Sequence, residues 1–250
     1  MNVGLYQAAA ALDANSRWQE MVADNLASGS LPGYKRKELS LAATQAGLMP
    51  AGSQQGHGGP RSFVIPKATS VTNFQAGDLK PTGVNTDVAI DGKGFFAVQM
   101  PTGQLAYTRD GEFHVNASGE LVTKEDYPVM GATGPIQLDK TNHNVVSISA
   151  QGEVTQGGTT KGKLKVTDFN NTALLTQVSG SYFVSGSPDL HEQSTTAILR
   201  EGYVEGSNVS SVTQMVSLLS AMRGYEANQK LIQMEDDRMG HAISDLGNPT

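Results

Sequence analysis

The sequence contains no cysteine, which excludes disulfides, thiolate metal sites and cysteine nucleophiles together. Tryptophan occurs once, and aromatic residues make up only 6% of the 250 positions. Positive charge is also short. Lys and Arg number 18 against 24 Asp and Glu, a formal net charge of −6. That balance argues against a nucleic-acid partner, because phosphate binding needs a surplus of Lys and Arg. Long apolar runs are missing too: Ala8 to Leu12 falls far below the roughly 20 residues of a membrane span. No direct membrane insertion is therefore expected. The first basic side chain is Arg17, so no basic segment precedes an apolar core and no cleaved signal peptide is expected.

The chemistry of sites is equally thin. The histidines are His57, His114, His143, His191 and His241, with no two close enough for a local metal motif. No nucleophile elbow of the G-x-S-x-G type occurs. Gly92-Lys93-Gly94-Phe95-Phe96-Ala97 matches a dinucleotide pattern, but the residues after it are strand formers. A pyrophosphate site needs a helix N-terminus there, so a β-turn is expected instead. The acidic clusters Glu125-Asp126 and Glu235-Asp236-Asp237 lack the spacing of a calcium loop and read as solvated surface. Lys35-Arg36-Lys37, three charges after a Gly-Pro break, reads the same way, or as a contact for an acidic neighbour. The chain is read as having no cofactor, no metal and no catalytic residue.

What is present is a division between the ends and the middle. Glycine stands at 28, and short runs such as Asp87-Val88-Ala89-Ile90, Phe95-Phe96-Ala97-Val98, Leu105-Ala106-Tyr107-Thr108 and Glu112-Phe113-His114-Val115 recur at about ten-residue intervals. Pro101-Thr102-Gly103, Asp110-Gly111 and Asn116-Ala117-Ser118-Gly119 punctuate them as turns. The fold class expected is mainly β with terminal α-helices. An antiparallel β body would be joined to a coiled-coil-like pair of N- and C-terminal helices. The boundaries expected are an N-terminal helix over 1–30, an extended connection over 31–70, the β body over 71–200 and a C-terminal helix over 201–250.

Both ends carry a seven-residue rhythm. Leu5, Leu12 and Leu26 fall on one heptad line of the first segment, with Trp18 and Val22 as an i, i+4 pair. In the last segment Asn208 reads as an N-cap, and no proline interrupts Val209 to Leu246. Leu218, Tyr225, Ile232, Met239 and Leu246 occupy one heptad position, d. Met215, Met222, Gln229, Asp236 and Ile243 occupy its partner, a. A helix of about 37 residues is about 55 Å long at 1.5 Å per residue, more than one globule buries alone. The partner is either the N-terminal helix of the same chain, closing a hairpin, or helices of other subunits.

Three segments together resemble the flagellar basal-body rod and hook family. They are Val22-Ala23-Asp24-Asn25-Leu26-Ala27-Ser28 with Pro32-Gly33-Tyr34-Lys35-Arg36, the stretch Leu79 to Gly131 through Asp87 to Phe96, Tyr107 to Phe113 and Gly119 to Val122, and Gly202-Tyr203-Val204-Glu205-Gly206-Ser207-Asn208-Val209 with Arg223-Gly224-Tyr225-Glu226-Ala227-Asn228-Gln229-Lys230. Asp24, Ser28, Leu31 and Gly224 depart from the family pattern, and Gly224 costs a helix up to about 1 kcal/mol relative to Ala unless it serves close packing. The resemblance implies terminal helices that form the inner tube of an axial polymer and a β body that projects outward. The implied place is the basal body, on the periplasmic side of the rod. The implied partners are other copies, neighbouring rod, hook and basal-body proteins, and the flagellar type III export apparatus. The implied assembly interface comprises Leu5, Leu12, Val22, Asn25, Leu26, Met215, Leu218, Met222, Tyr225, Ile232, Met239, Ile243 and Leu246. A short Lys37 to Val71 connection favours the proximal-rod member over the distal-rod one. The rival reading is a secreted β-rich enzyme or carbohydrate-binding module on a helical stalk.

Overall fold

A computed structural model describes residues 3–49, 61–140, 142 and 144–247. His57, His143 and most of the Gly- and Gln-rich stretch 47–60 lie outside the described residues. The fold is mainly antiparallel β with two helices, one at each end. It divides into a helical unit of residues 1–26, 37–71 and 210–250, and a β unit of residues 27–36 and 72–209.

The helical unit contains α1, Val3–Ala27, and α2, Ser211–Gly247, of 25 and 37 residues. Three contacts place them antiparallel. Gln19 Nε2 donates to the Ala221 carbonyl at 3.2 Å, Asn25 Nδ2 donates to Gln214 Oε1 at 3.3 Å, and Asn15 lies against Gly224. A Cβ added at Gly224 would stand 3.2 Å from Asn15 Oδ1, so this glycine is a point of close helix packing. The seam toward α1 centres on Gln214 and Ala221, each one residue before a heptad a position. One residue is about 100° of helix, and that rotation turns the larger Met215 and Met222 outward. Small side chains let two backbones approach closely, and the bulky ones are left over for the far side.

The start of α2 differs from the sequence expectation. The helix begins at Ser211, and its first backbone bond runs from Gln214 N to the Ser210 carbonyl at 3.0 Å. Asn208 is not its cap, because its side chain is committed to three other backbone groups. The stretch expected as an extended connection holds two long strands, Lys37–Met49 and Arg61–Thr72, which pair as a two-stranded sheet.

The β unit is organised on a sheet of six strands. Their spatial order is Leu175–Ser179, Tyr182–Ser185, Leu105–Thr108, Phe95–Gln99, Val166–Phe169 and Glu192–Ser194. The run Phe95-Phe96-Ala97-Val98 lies inside it with both faces covered. Alternate side chains of a strand point to opposite faces, so Phe95 and Ala97 join Tyr107, Phe169 and Phe183 on one side. Phe96 and Val98 join Val88, Ile90, Phe113 and Leu121 on the other. Burial on both faces is why this stretch reads as continuous apolar rather than alternating. The dinucleotide lookalike is a turn between the strands Val88–Asp91 and Phe95–Gln99, with Gly92 at φ 127° and Gly94 at φ 129°.

Candidate assembly surface and buried polar node

Helix α2 presents an apolar stripe that the other described residues do not cover. Val212, Met215, Val216, Leu219 and Met222 recur at i, i+3, i+4, i+7 and i+10, and Met215 and Val216 are 53% and 60% exposed. Arg223 to Lys230 then interrupts the stripe with Glu226, Gln229 and Lys230, after which Leu231, Met234 and Ile243 are again exposed. Eight exposed large apolar side chains on one helix exceed the scattered singles normal for a soluble surface.

The residues expected at the interface separate into three groups. Met215, Met222 and Ile243 are exposed. Leu12, Leu26, Leu218, Tyr225, Ile232 and Met239 are half-buried, so the d line is partly covered by the chain's own packing. Val22 and Asn25 are fully buried and can act on an interface only through the conformation they hold. Leu5 and Leu246 lie in the helices, but their side chains are outside the described residues. Asn25 works as a backbone clamp: its Oδ1 accepts from Lys37 N and its Nδ2 donates to the Lys37 carbonyl, both at 2.8 Å.

The basic run Lys35-Arg36-Lys37 is not uniformly solvated, which corrects the sequence expectation. The Lys35 side chain is 0% exposed, and its Nζ donates to Glu205 Oε1 at 2.5 Å and to the Gln75 carbonyl at 2.8 Å. Glu205, also 0% exposed, accepts from Gly77 N at 2.8 Å, and its other oxygen accepts from Arg109 Nη1 at 3.1 Å. Arg109 also donates to the Gly92 carbonyl at 2.9 Å and stands 5.2 Å from the centre of the Phe95 ring, while its buried Nε has no hydrogen-bond partner. Burial pushes the Lys35 ammonium below its ordinary value, and the Glu205 charge opposes that. A buried ion pair is tolerated only where each charge is met, as here.

The backbone around the node is drawn in closely. Gly33 donates from its N–H to the Glu205 carbonyl at 2.7 Å and has φ +66°. A Cβ on it would stand 2.3 Å from Asp110 N, and one on Gly77 would stand 2.0 Å from the Gly206 carbonyl oxygen. Asn208 Oδ1 accepts from Arg36 N at 2.8 Å, while its Nδ2 donates to the Asn73 and Gln75 carbonyls at 2.9 and 3.0 Å. In the sequence Lys35, Arg109 and Glu205 belong to three separate motifs, and nothing local to any of them predicts a contact with the others. The available signal was that each motif carries one complementary charge within two residues of a glycine.

Beside the node, Asp110 is half-buried and accepts from Glu112 N at 3.0 Å. Burial pushes its carboxyl up to about 7, and the Glu112 and Glu125 charges add to the shift. A carboxyl raised in the folded state stabilises fully below its unfolded value near 3.8, and that contribution is lost as pH rises through about 7. Asp110→Asn is therefore expected to raise the melting temperature at pH 8 more than at pH 4. Thermal scans at the two pH values check it; an equal effect at both would contradict the burial assignment.

Among the described residues, no group of three or more His, Asp or Glu could hold a metal ion. No helix among them is long and apolar enough to cross a membrane. Two family descriptions match the chain: "Flagellar hook protein FlgE/F/G D1 domain" over residues 89–156 and "Flagellar basal body rod FlgEFG protein C-terminal" over residues 200–245. Whole-length relatives agree. The flagellar basal-body rod protein FlgG of Buchnera aphidicola (from Acyrthosiphon pisum) is 34% identical over 254 residues, covering 91% of this chain and 94% of its own. FlgG of Borreliella burgdorferi is 30% identical over 266 residues, covering 95% and 96%. The rod protein FlgF of Caulobacter vibrioides is 30% identical over 229 residues, covering 91% of each.

Proposed function

The chain belongs to the flagellar basal-body rod protein family, and from that premise we propose that it polymerises through its terminal helices. Its coarse role is a structural subunit of the flagellar rod, not an enzyme, which removes the reading as a catalytic β body on a stalk. The observation that carries the finer reading is the uncovered stripe Val212, Met215, Val216, Leu219 and Met222, left exposed after α1 has been seated on the opposite seam. Each such side chain contributes about 1.5–3 kcal/mol when fully buried, so helices of neighbouring subunits would be held strongly. The division of labour proposed is an axial part from the ends, 1–30 and 201–250, and an outer body over 71–200. The partners are other copies, adjoining rod, hook and basal-body proteins, and the type III export apparatus that would deliver the chain.

Within the rod, the proximal position is proposed over the distal one. The ground is length. For the same 91% of this chain, the FlgF alignment runs over 229 residues and the FlgG alignment over 254, a difference of 25. The chain therefore resembles the shorter type and lacks the additional residues of the FlgG relatives. Electron microscopy of purified basal bodies tests both statements, using an epitope-tagged chain and gold-labelled antibody. Label within the rod on the motor side is expected, with no distal rod subunits in a strain lacking this chain. Label on the hook, or distal rods of normal length without the chain, would sink the reading.

A further inference from the structure

The peptide chain passes between the helical unit and the β unit four times, after residues 26, 36, 71 and 209. Force passed between the two units travels at least along those covalent passages. Three segments of the β unit lead into them: the loop 27–36, the start of the stretch at residue 72, and its end at residue 209. All three are tied to one another at one place. Asn73 N donates to the Arg36 carbonyl at 2.9 Å, and Asn208 N donates to the Tyr34 carbonyl at 3.4 Å. The Asn208 side chain joins the same three segments again through Arg36 N, the Asn73 carbonyl and the Gln75 carbonyl. Directly behind this layer, Lys35 and Glu205 bring the first and last segments together, and Gln75 and Gly77 bond the same two side chains. Arg109, the residue after the strand Leu105–Thr108 of the six-stranded sheet, then bonds Glu205 and also the carbonyls of Ile90, in the strand Val88–Asp91, and of Gly92 in the turn after it.

We infer that Asn208 and the Lys35–Glu205–Arg109 triad form a force-sharing clasp inside the β unit, which ties together the three segments that lead out of it. The inference rests on the rod reading, since only a subunit that transmits torque has a sustained load to pass between its parts. Its physical basis is independent of the polymer. Hydrogen bonds loaded in parallel at one point share the force, whereas separated single strands would yield one after another. Ordinary fold stability does not require an asparagine that bridges three segments and an ion triad buried behind it. A second clamp of the same kind, Asn25 on the Lys37 backbone, holds the chain just beyond the passage after residue 36.

Asn208→Asp separates the clasp from the fold, because it keeps the acceptor for Arg36 N and the shape but loses both donors. In the purified full-length chain, amide hydrogen exchange at Asn73 and Gly77 is expected to accelerate at least tenfold. Exchange at core positions Val98 and Phe183 is expected to stay as in the parent. In a complemented strain, rods are expected in normal number, but shed hook–basal bodies should rise several-fold in viscous medium relative to dilute buffer. Faster exchange throughout the β unit would make Asn208 a general stability element and overturn the clasp. So would unchanged shedding under load, or loss of rods by a chain that remains folded. Absence of the parent chain from basal bodies would instead defeat the rod reading, while the exchange measurement still decides whether the segments are clasped.

Discussion

Val216→Asp on α2 is expected to abolish rod assembly while leaving the isolated chain folded. Val216 is 60% exposed in the single chain, and exposed substitutions away from special features usually change stability by about 0.5 kcal/mol or less. The same aspartate buried at a subunit interface would be an uncompensated charge in an apolar seam, which costs several kcal/mol. In a polymer that penalty recurs at every joint. Met222→Asp should behave alike, being on the same stripe, whereas Thr213→Asp, at an exposed polar position of the first turn off the stripe, should be tolerated. The measurement pairs thermal melting of the purified proteins with a count of rods in complemented cells. Rods forming normally with Val216→Asp would remove the stripe from the interface. Equal failure of Thr213→Asp would show that the helix tolerates no charge anywhere.

Much of this architecture could be read from the residues because it rests on local signals. Phe95-Phe96-Ala97-Val98 between glycine turns has the composition of a strand buried on both faces, and it is one. The proline-free run after Val209 gave a helix of 37 residues, within two residues of its start. Which face of that helix meets α1 was not legible. A heptad count ranks positions by apolar size, but the closest approach is made by Ala221, Gly224 and Gln214, which are small or polar. Size patterning finds where the most apolar area lies; the backbone approach is set by where side chains are absent.

The buried node was illegible for a different reason. Lys35 belongs to a run of three basic residues, and such runs are solvated unless a specific partner exists. Its partner, Glu205, is 170 residues away in sequence, and nothing local distinguishes it from an ordinary surface glutamate. Asn208 misled in the same manner. A good N-cap residue just before a helical run is locally persuasive, yet its side chain serves Arg36, Asn73 and Gln75. Long-range polar pairing leaves no periodicity. Only the joint presence of three motifs with complementary charges hinted at it.

The second large expected effect follows from that node. Lys35→Met should destabilise the β unit by about 3–5 kcal/mol, the usual cost of removing one partner from a buried ion pair. Glu205 would keep Arg109 and the Gly77 amide but lose its shortest contact, and the Gln75 carbonyl would lose its ammonium donor. Against a typical total of about 5–15 kcal/mol this is a large fraction. With about 2–4 °C per kcal/mol for a chain of this size, the melting temperature should fall by about 6–20 °C. Lys37→Met two positions on is the control. Its ammonium is 3.4 Å from Asp24 at a site where the Asp24 side chain is 63% exposed, and such pairs contribute about 0–1 kcal/mol. Lys35→Met combined with Glu205→Leu should recover only part of the loss. The pair would then be replaced by apolar groups, but Arg109 would be left buried beside the Phe95 ring without its carboxylate. Melting curves in urea order the four proteins: parent and Lys37→Met together, the double variant below them, Lys35→Met lowest. If Lys35→Met melts with Lys37→Met, Lys35 is not buried against Glu205, and the clasp loses the anchor behind Asn208.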